Sequence, residues 1–328
     1  MVFKRPERIP VSILTGFLGS GKTTLLNEIL MNEQEERIAV IVNEFGKTGI
    51  DHQLVISSEE DIYELNNGCL CCKVRTDLIN TLYALIQAVE EGGHTPFDRV
   101  LIETTGLAEP APIAQSFFFD PELSEIYHLD TIITVIDCYH FPKQMHEHEE
   151  VLKQAAFADH FILNKTDLVS EEDVKKVSNR LLAVNPGAQI QSGSHGSVVI
   201  KDLLNKFSFD LHEKRLIEPS ELNSHHLDPD ITAIVLTSEN DMDMTAFEKW
   251  FGRIIDEKGE QMYRYKGIIS AAGFEKRIVF QGVHMLFAGK AGSPWKTRGS
   301  RKSEFVIIGK DLDYEWFQSQ FKTCEKSK

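Results

Sequence analysis

The chain of 328 residues carries a formal net charge of −15 at pH 7, with 42% hydrophobic and 26% charged residues. These proportions are ordinary for a globular protein, and the length suggests about two domains. The acidic excess argues against nucleic acid or an anionic membrane as the main partner, and no apolar run reaches the ~20 residues that span a bilayer.

The first predicted strand, Val11–Leu14, leads directly into a glycine-rich loop. We interpret this apolar run as a core strand of a cytoplasmic protein and not as a secretory signal, because no small-residue cleavage site follows it. The loop, Gly16–Thr23, fits the pattern G-x-x-x-x-G-K-[ST] at every fixed position. A helix that begins at Thr24 supplies the context that separates this motif from a chance glycine-rich turn. The pattern therefore predicts a phosphate-binding loop.

The residues of this loop are expected to bind a nucleoside triphosphate. The glycines let the backbone curl so that successive N–H groups face the phosphates, and the helix N-terminus adds its positive end. Lys22 is expected to reach the β- and γ-phosphates, and the Thr23 hydroxyl is expected to bind Mg²⁺. The expected binding set is Gly16, Gly19, Ser20, Gly21, Lys22, Thr23 and Thr24.

The second predicted strand, Ile38–Val42, is followed by Asn43–Gly46. This segment lies where a switch that senses the nucleotide is expected. Glu44 within it is a candidate metal ligand, because carboxylate oxygens bind Zn²⁺ in proteins.

Three of the five cysteines, Cys69, Cys71 and Cys72, lie within four residues. Thiols so few and so clustered argue against a disulfide scaffold. Lys73 and Arg75, together with the N-terminus of a helix predicted just after them, should lower the thiol pKa values and favour thiolates. Three thiolates suit Zn²⁺ or another soft metal, with a fourth ligand from elsewhere or an open position. A redox thiol pair and a packed turn remain alternatives.

The predicted strand Val100–Ile102 ends in an acidic residue, Glu103, with Gly106 close behind. Glu103 is expected to hold Mg²⁺ directly or through water, and the Gly106 N–H is expected to meet the γ-phosphate. A glutamate that only caps the loop is the alternative. Lys22, Thr23 and Glu103 form the expected catalytic set. No glutamine or arginine stands out as a hydrolytic residue, so we expect slow unassisted turnover.

Asn164-Lys165-Thr166-Asp167 follows the predicted strand Phe161–Leu163. A buried Asp167 can accept hydrogen bonds from the N1–H and the exocyclic amino group of guanine, a pair of donors that adenine lacks. Asn164, Lys165 and Asp167 are therefore the expected guanine site. Ser194–Gly196 is a candidate for the loop that closes over the base.

Short apolar strands alternate with helical patterns through the first two-thirds of the chain. Such alternation is typical of an α/β fold, here a P-loop NTPase with a mostly parallel sheet flanked by helices, and ligands gather at the carboxyl ends of its strands. Asp137, at the end of one strand, either faces the site or closes a simple turn. The predicted elements are strands Val11–Leu14, Ile38–Val42, Val100–Ile102, Thr131–Ile136, Phe161–Leu163 and Gln189–Gln191, and the clearest helix is Leu78–Val89.

The pattern changes near the end of this region, and a second unit follows a linker. Strands predominate there without regular crossover helices, which favours a smaller α+β domain on an antiparallel sheet. Its predicted strands are Ile231–Leu236, Tyr263–Ser270, Arg277–His284 and Glu304–Ile308, and its helices are Thr245–Asp256 and Tyr314–Phe321. We predict a nucleotide-binding domain at 1–210, a linker at 211–230 and the second domain at 231–328.

The motifs occur in the order and spacing of the CobW-like GTPases, which this chain resembles. Those P-loop proteins are related to the GTPases that insert nickel into urease and hydrogenase. Gly-Cys-Leu-Cys-Cys beside a phosphate loop is the most specific feature, and the resemblance extends through the second domain. The stretches that carry it are Gly16–Thr23, Asn43–Gly46, Gly68–Cys72, Glu103–Gly106, Asn164–Asp167, Tyr263–Gly267, Phe280–Val283, Trp295 and Phe305–Gly309.

The resemblance implies a GTP-hydrolysing metal chaperone, most often for zinc. On that basis Cys69, Cys71 and Cys72 are the ligands of the transported metal, beside the phosphate and guanine ligands named above. Many members of the family have an acidic residue directly after Asn-Glu-Phe-Gly, where this chain has Lys47. This departure leaves the fourth metal ligand open.

The main hypothesis is an enzyme that converts GTP and water to GDP and phosphate and couples this reaction to metal transfer. GTP or GDP, Mg²⁺ and Zn²⁺ are the expected bound species. The expected partners are a client metalloprotein and, when metal is bound, a second copy of the chain. The alternatives are a metal buffer or sensor with a structural nucleotide, a GTPase that inserts cobalt or nickel, a small-molecule kinase and a thiol-redox protein.

Overall fold

The computed structural model describes residues 8–32, 36–42, 62–64, 71–92, 96–193, 203–204, 231–295 and 301–326, with the backbone alone at 62–64, 71–77 and 118–119. The chain divides into two compact units, the first built on a parallel sheet and the second on an antiparallel sheet. Residues 155–157 and 179–188 belong to the second unit. The predicted fold class is confirmed.

Within the described residues, seven strands form the first sheet, and each pair of neighbours is parallel. The strands are β1 (Ile9–Thr15), β2 (Ile38–Val42), β3 (Ile62–Glu64), β4 (Arg99–Glu103), β5 (Tyr127–Asp137), β6 (His160–Asn164) and β7 (Gln189–Ser192). Strands β1, β4 and β5 are buried along nearly their whole length, as valine- and isoleucine-rich strands covered on both faces should be. All six predicted strands are confirmed. The seventh, β3, has three residues and is too short to show a pattern.

The strand order β3-β2-β4-β1-β5-β6-β7 places β1 at the centre of this sheet. Leu14 near the end of β1 pairs with Glu103 at the end of β4. On the other side, Asp137 at the end of β5 pairs with Asn164 at the end of β6. The loops that follow these four strands therefore leave the sheet at one edge, which is where ligands of parallel sheets bind.

Helices connect the strands and complete both units. They are α1 (Lys22–Asn32), α2 (Cys71–Glu90), α3 (Ala111–Phe119), α4 (Pro121–Ile126), α5 (Phe141–Glu147), α6 (Glu149–Phe157), α7 (Glu171–Val184), α8 (Met244–Lys258) and α9 (Tyr314–Lys322). Among the described residues, none of them has both the length and the apolar character that crossing a bilayer requires.

The predicted start of α2 is wrong. The apolar stripe begins at Leu78, but the helix begins at Cys71, so Cys71 and Cys72 lie in its first turn and not in a loop before it. No glycine or proline interrupts the chain from Cys71 to Glu90, and the backbone can therefore remain helical beyond the stripe. An apolar stripe marks only the part of a helix that packs against a core.

In the described part of the second unit, five strands form an antiparallel sheet in the order β11-β10-β9-β12-β8. They are β8 (Ile231–Ser238), β9 (Met262–Ile269), β10 (Lys276–Val283), β11 (Leu286–Pro294) and β12 (Ser303–Lys310). Phe247 and Phe251 of α8 pack against Phe305 of β12 in the core. The four predicted strands are confirmed. Strand β11 was missed, because this edge strand is mostly exposed and shows no apolar alternation.

The two isolated cysteines are packing residues. Cys138 and Cys324 are both buried as free thiols. Burial, together with the negative charge of Asp137, raises the pKa of Cys138 to about 12. Burial likewise raises the pKa of Cys324 to about 11. Neither thiol forms a thiolate near neutral pH, so neither is a ready metal ligand.

Candidate functional site

The glycine-rich loop between β1 and α1 depends on two glycines for its path. Gly16 has a φ of +143°, and a Cβ there would lie 2.4 Å from the Val135 carbonyl oxygen. Gly21 has a φ of +103°, and a Cβ there would lie 2.2 Å from Asn164 Nδ2. Any other residue at these positions would be strained and would also collide with β5 or with the end of β6. The glycines of the motif thus bring the loop into contact with its neighbouring strands.

Two polar side chains of this loop fit an anionic ligand. Lys22 is 8% exposed, and its Nζ donates to the carbonyl oxygens of Gly16 (2.9 Å) and Phe17 (3.2 Å). Burial lowers the pKa of Lys22, and the negative charge of Glu103 opposes this shift. Within the part of the chain that the structure describes, the buried Ser20 Oγ has no hydrogen-bond partner. A phosphate oxygen would satisfy this hydroxyl and the lysine together.

Thr23 and Glu103 meet at the first turn of α1. The Thr23 hydroxyl donates to Glu103 Oε1 at 2.8 Å, and Glu103 is 6% exposed at the end of β4. A hydroxyl and a carboxylate are the oxygen donors that Mg²⁺ prefers, so this pair fits the expected cation. Thr24, the next residue of α1, is exposed.

The loop after β4 lies against the phosphate loop. A Cβ at Gly106 would lie 2.6 Å from the Leu18 backbone nitrogen, so only glycine permits this approach. Gln154 of α6 holds the loop from behind, since its Nε2 donates to the carbonyl oxygens of Gly106 and Ala108, each at 3.1 Å. Sequence reasoning missed Gln154, which is 1% exposed. A polar residue among the apolar positions of α6 was the available signal.

Replacing Gln154 with leucine should lower the free energy of unfolding by about 1–3 kcal/mol, because the Gly106 and Ala108 carbonyls lose a buried donor. Denaturant unfolding followed by circular dichroism measures this change. Gln87→Leu is the matched control, since Gln87 is exposed on α2 and its side chain donates to Glu91, the residue just after that helix. A loss no larger than that of the control would contradict the anchoring role.

The turn after β6 is tied to the phosphate loop. Asn164 Nδ2 donates to the Ser20 carbonyl at 2.8 Å, and Lys165 Nζ donates to the Gly19 carbonyl at 2.9 Å. Asp167 lies in the turn Thr166–Leu168 and is exposed. The protein chain alone therefore does not bury this carboxylate, contrary to expectation. A base bound there would itself have to exclude water from the carboxylate.

Asp137 both closes a turn and faces the site, so the two interpretations of this residue hold together. Its Oδ1 accepts from the backbone N–H groups of Tyr139 and His140, each at 3.1 Å. Its Oδ2 accepts from Lys165 Nζ at 2.6 Å. The sequence could not show this second contact, because it depends on β5 and β6 being neighbours.

Most of the predicted metal ligands are not among the residues that the structure describes. Cys69 and Glu44 fall outside the described residues, as do Asn43–Gly46, Lys47 and Ser194–Gly196. The backbone of Cys71 and Cys72 forms the first turn of α2. Across the described ranges, no group of three or more His, Cys, Asp or Glu residues could hold a metal ion.

A parallel sheet with a glycine-rich phosphate loop after β1, a carboxylate at the end of β4 and an Asn-Lys-x-Asp turn after β6 defines a P-loop GTPase. The chain belongs to the CobW family of these proteins. Residues 10–192 match the CobW/HypB/UreG nucleotide-binding domain, and residues 231–325 match the cobalamin synthesis protein cobW C-terminal domain. The resemblance identified from the motifs is confirmed.

Two curated relatives match most of this chain at moderate identity. The zinc chaperone YjiA of Escherichia coli (strain K12) is 34% identical over 323 residues, which are 97% of this chain and 99% of YjiA. The zinc-regulated GTPase metalloprotein activator 1 of Saccharomyces cerevisiae is 32% identical over 358 residues, covering 94% of this chain and 82% of that protein. The crystal structure of the Zn(II)-bound YjiA GTPase from E. coli has a TM-score of 0.80 at 30% identity and covers 98% of this chain and 100% of that chain.

Proposed function

We propose that this protein is a GTP-hydrolysing metallochaperone that binds Zn²⁺ and delivers it to a client metalloprotein. The observation that carries the proposal is the meeting of Lys22, the Thr23–Glu103 pair and the Asn164–Asp167 turn at one edge of the sheet. The relatives support zinc as the transported metal and a metalloprotein as its recipient, since the bacterial protein is named a zinc chaperone and the yeast protein a zinc-regulated GTPase metalloprotein activator.

The phosphate loop and the turn after β6 would hold GTP from its two ends. Lys22 would transfer its hydrogen bonds from the loop carbonyls to the β- and γ-phosphates and neutralise charge there. Asn164 and Lys165 would keep the turn after β6 against the phosphate loop, while Asp167 would bind the guanine edge. Gly106, fixed by Gln154, would offer its N–H to the γ-phosphate.

Thr23 and Glu103 are the residues that would hold Mg²⁺. When bound, this ion neutralises negative charge on the phosphates of a nucleotide. The 2.8 Å bond between the two side chains shows that the fold already brings both oxygens together. Lys22, Thr23 and Glu103 remain the proposed catalytic set.

The transported zinc would bind to the three-cysteine segment. The first turn of a helix stabilises negative charge, so Cys71 and Cys72 at the start of α2 occupy positions that favour thiolates. We propose Cys69 as the third sulfur ligand and Glu44 as a candidate fourth ligand. GTP bound beside this ligand set would strengthen zinc binding, and hydrolysis would weaken it.

Zinc affinity should therefore be higher in the GTP-analogue form than in the GDP form, by roughly 5- to 150-fold. Competition with a chromophoric chelator measures it in both forms and in the protein without nucleotide. Because coupling between binding sites is reciprocal, zinc should raise the affinity for the GTP analogue, relative to the affinity for GDP, by the same factor. Equal zinc affinity in all three forms would exclude the proposed coupling between nucleotide and zinc binding.

Measurements of turnover, nucleotide preference, thiol oxidation and metal preference separate the remaining alternatives. Zinc binding with negligible turnover in every metal state would favour a buffer, and preferred use of ATP would favour a kinase. A disulfide that forms and breaks without metal would favour a redox role. Stronger binding of cobalt or nickel than of zinc would favour an insertion GTPase for those metals.

We propose the domain limits 1–210, 211–230 and 231–328, a cytoplasmic location, and self-association when zinc is bound. Light scattering during the zinc titration tests the last of these, because a dimer doubles the measured mass. An unchanged mass at saturating zinc would exclude it.

A further inference from the structure

Asp137 occupies a junction between the two loops that would bind the ends of GTP. It is the last residue of β5, it is 3% exposed, and it pairs in register with Asn164 of β6. The next backbone N–H, that of Cys138, donates to the Asn164 carbonyl at 3.0 Å. Asp137 is therefore fixed beside the start of the turn after β6.

Both carboxylate oxygens of Asp137 are engaged. Oδ1 accepts the Tyr139 and His140 backbone N–H groups, while Oδ2 accepts Lys165 Nζ at 2.6 Å and contacts His140 Nδ1 at 2.8 Å. Burial alone would raise the pKa of Asp137, but the hydrogen bonds from Lys165 and His140 outweigh it and lower this pKa below its ordinary value. The residue is thus a carboxylate at neutral pH and forms a charge-assisted bond with Lys165.

Lys165 is held in an uncommon conformation. Its φ of +57° and ψ of 33° lie in the left-handed region, which residues with a Cβ rarely adopt. Its backbone N–H donates to Asn164 Oδ1 at 2.9 Å, and its Nζ bridges the Gly19 carbonyl and Asp137. The hydrogen bond to Asp137 is therefore one of three, with those to Asn164 and Gly19, that hold Lys165 beside the phosphate loop.

We propose that Asp137 is a positioning residue for guanine recognition, which it supports by fixing Lys165 between β5 and the phosphate loop. This inference rests on the proposed function, since it concerns the same nucleotide site. Without Asp137 the turn Asn164–Asp167 would keep its sequence but lose the anchor that presents it to the base. The consequence is a loss of affinity and of preference for guanine, not of the hydrolytic step.

Asp137→Asn should weaken GDP and GTP binding by about 10- to 100-fold, the amount expected for the loss of one hydrogen bond between charged groups. The asparagine keeps an acceptor for the Tyr139 and His140 N–H groups. Binding of ATP should change less than threefold, so the ratio of GTP to ATP affinity should fall. At saturating GTP, kcat should change far less than KM.

A double-mutant cycle tests whether Asp137 acts through Lys165. If it does, Asp137→Asn combined with Lys165→Met should bind GDP as weakly as Lys165→Met alone. Losses that multiply in the double variant would overturn the inference. Asp173→Asn is the matched control, because Asp173 also pairs with a lysine, Lys176 at 3.3 Å, but is exposed on α7.

Calorimetric titration of the full chain with GDP, GTP analogue and ATP distinguishes the two possible failures. If the wild-type chain does not prefer guanine nucleotides, the proposed function itself fails. If it does and Asp137→Asn binds GDP within threefold of wild type, only the role of Asp137 fails. Should the asparagine variant not fold, Asp137→Ser removes the charge with a smaller side chain whose hydroxyl oxygen can still accept a hydrogen bond, and it is judged by the same two results.

Discussion

Replacing Lys22 with methionine is expected to lower kcat/KM for GTP hydrolysis by about 10²- to 10³-fold. Methionine keeps much of the length of the side chain but has no charge and no N–H donor. The buried Nζ of Lys22 sits within the phosphate loop, bonded to two of its carbonyls, where a phosphate would receive it. Phosphate release under steady-state conditions measures the loss.

The position of Lys22 makes this effect specific. Lys176 is the matched control, since it is an exposed lysine on α7 that pairs with acidic neighbours of the same helix. Lys176→Met should leave turnover within a factor of about two. An unchanged kcat/KM in Lys22→Met, measured in a chain that unfolds at the wild-type temperature, would mean that the loop does not bind the reacting phosphates.

Replacing Cys69, Cys71 and Cys72 together with alanine is expected to weaken zinc binding by at least about 10³-fold, because all proposed sulfur ligands are removed. Zinc should then no longer alter GTP turnover. Competition with a chelator of known affinity, followed in parallel with phosphate release, measures both effects.

The remaining thiols provide the control for this experiment. Cys324→Ala removes a buried thiol whose pKa is raised to about 11, and it should leave zinc affinity unchanged. If the triple variant kept the wild-type zinc affinity, the metal would be held by other residues, and the three-cysteine segment would need another role. If it lost zinc but GTP turnover still responded to the metal, the coupling would run through a second site.

Motifs whose residues are adjacent in the chain could be predicted from the sequence. Gly16–Thr23 and Asn164–Asp167 could be assigned from the sequence because each motif acts through residues adjacent in the chain. The parallel sheet could also be predicted, since runs of valine and isoleucine mark strands that are covered on both faces. These predictions needed no knowledge of which strands are neighbours.

The errors came from places where length or exposure hides the pattern. Strand β3 is too short to show a periodicity, and the exposed edge strand β11 has no apolar alternation. Helix α2 begins before its apolar stripe, so Cys71 and Cys72 lie in its first turn. Asp167 was expected to be buried, but exposure of a turn depends on the structure around it.

From the sequence alone we could predict the chemical groups of the site, namely a lysine for phosphate, a pair of oxygen donors for Mg²⁺, a turn for guanine and three clustered thiols. The contacts that hold these groups in place became visible only in the folded chain. Gln154 supports Gly106, and Asp137 supports Lys165, through contacts between residues 28 or more positions apart. The reason is physical: these hydrogen bonds exist because strand order and helix packing bring the partners together, and no spacing along the chain encodes that order.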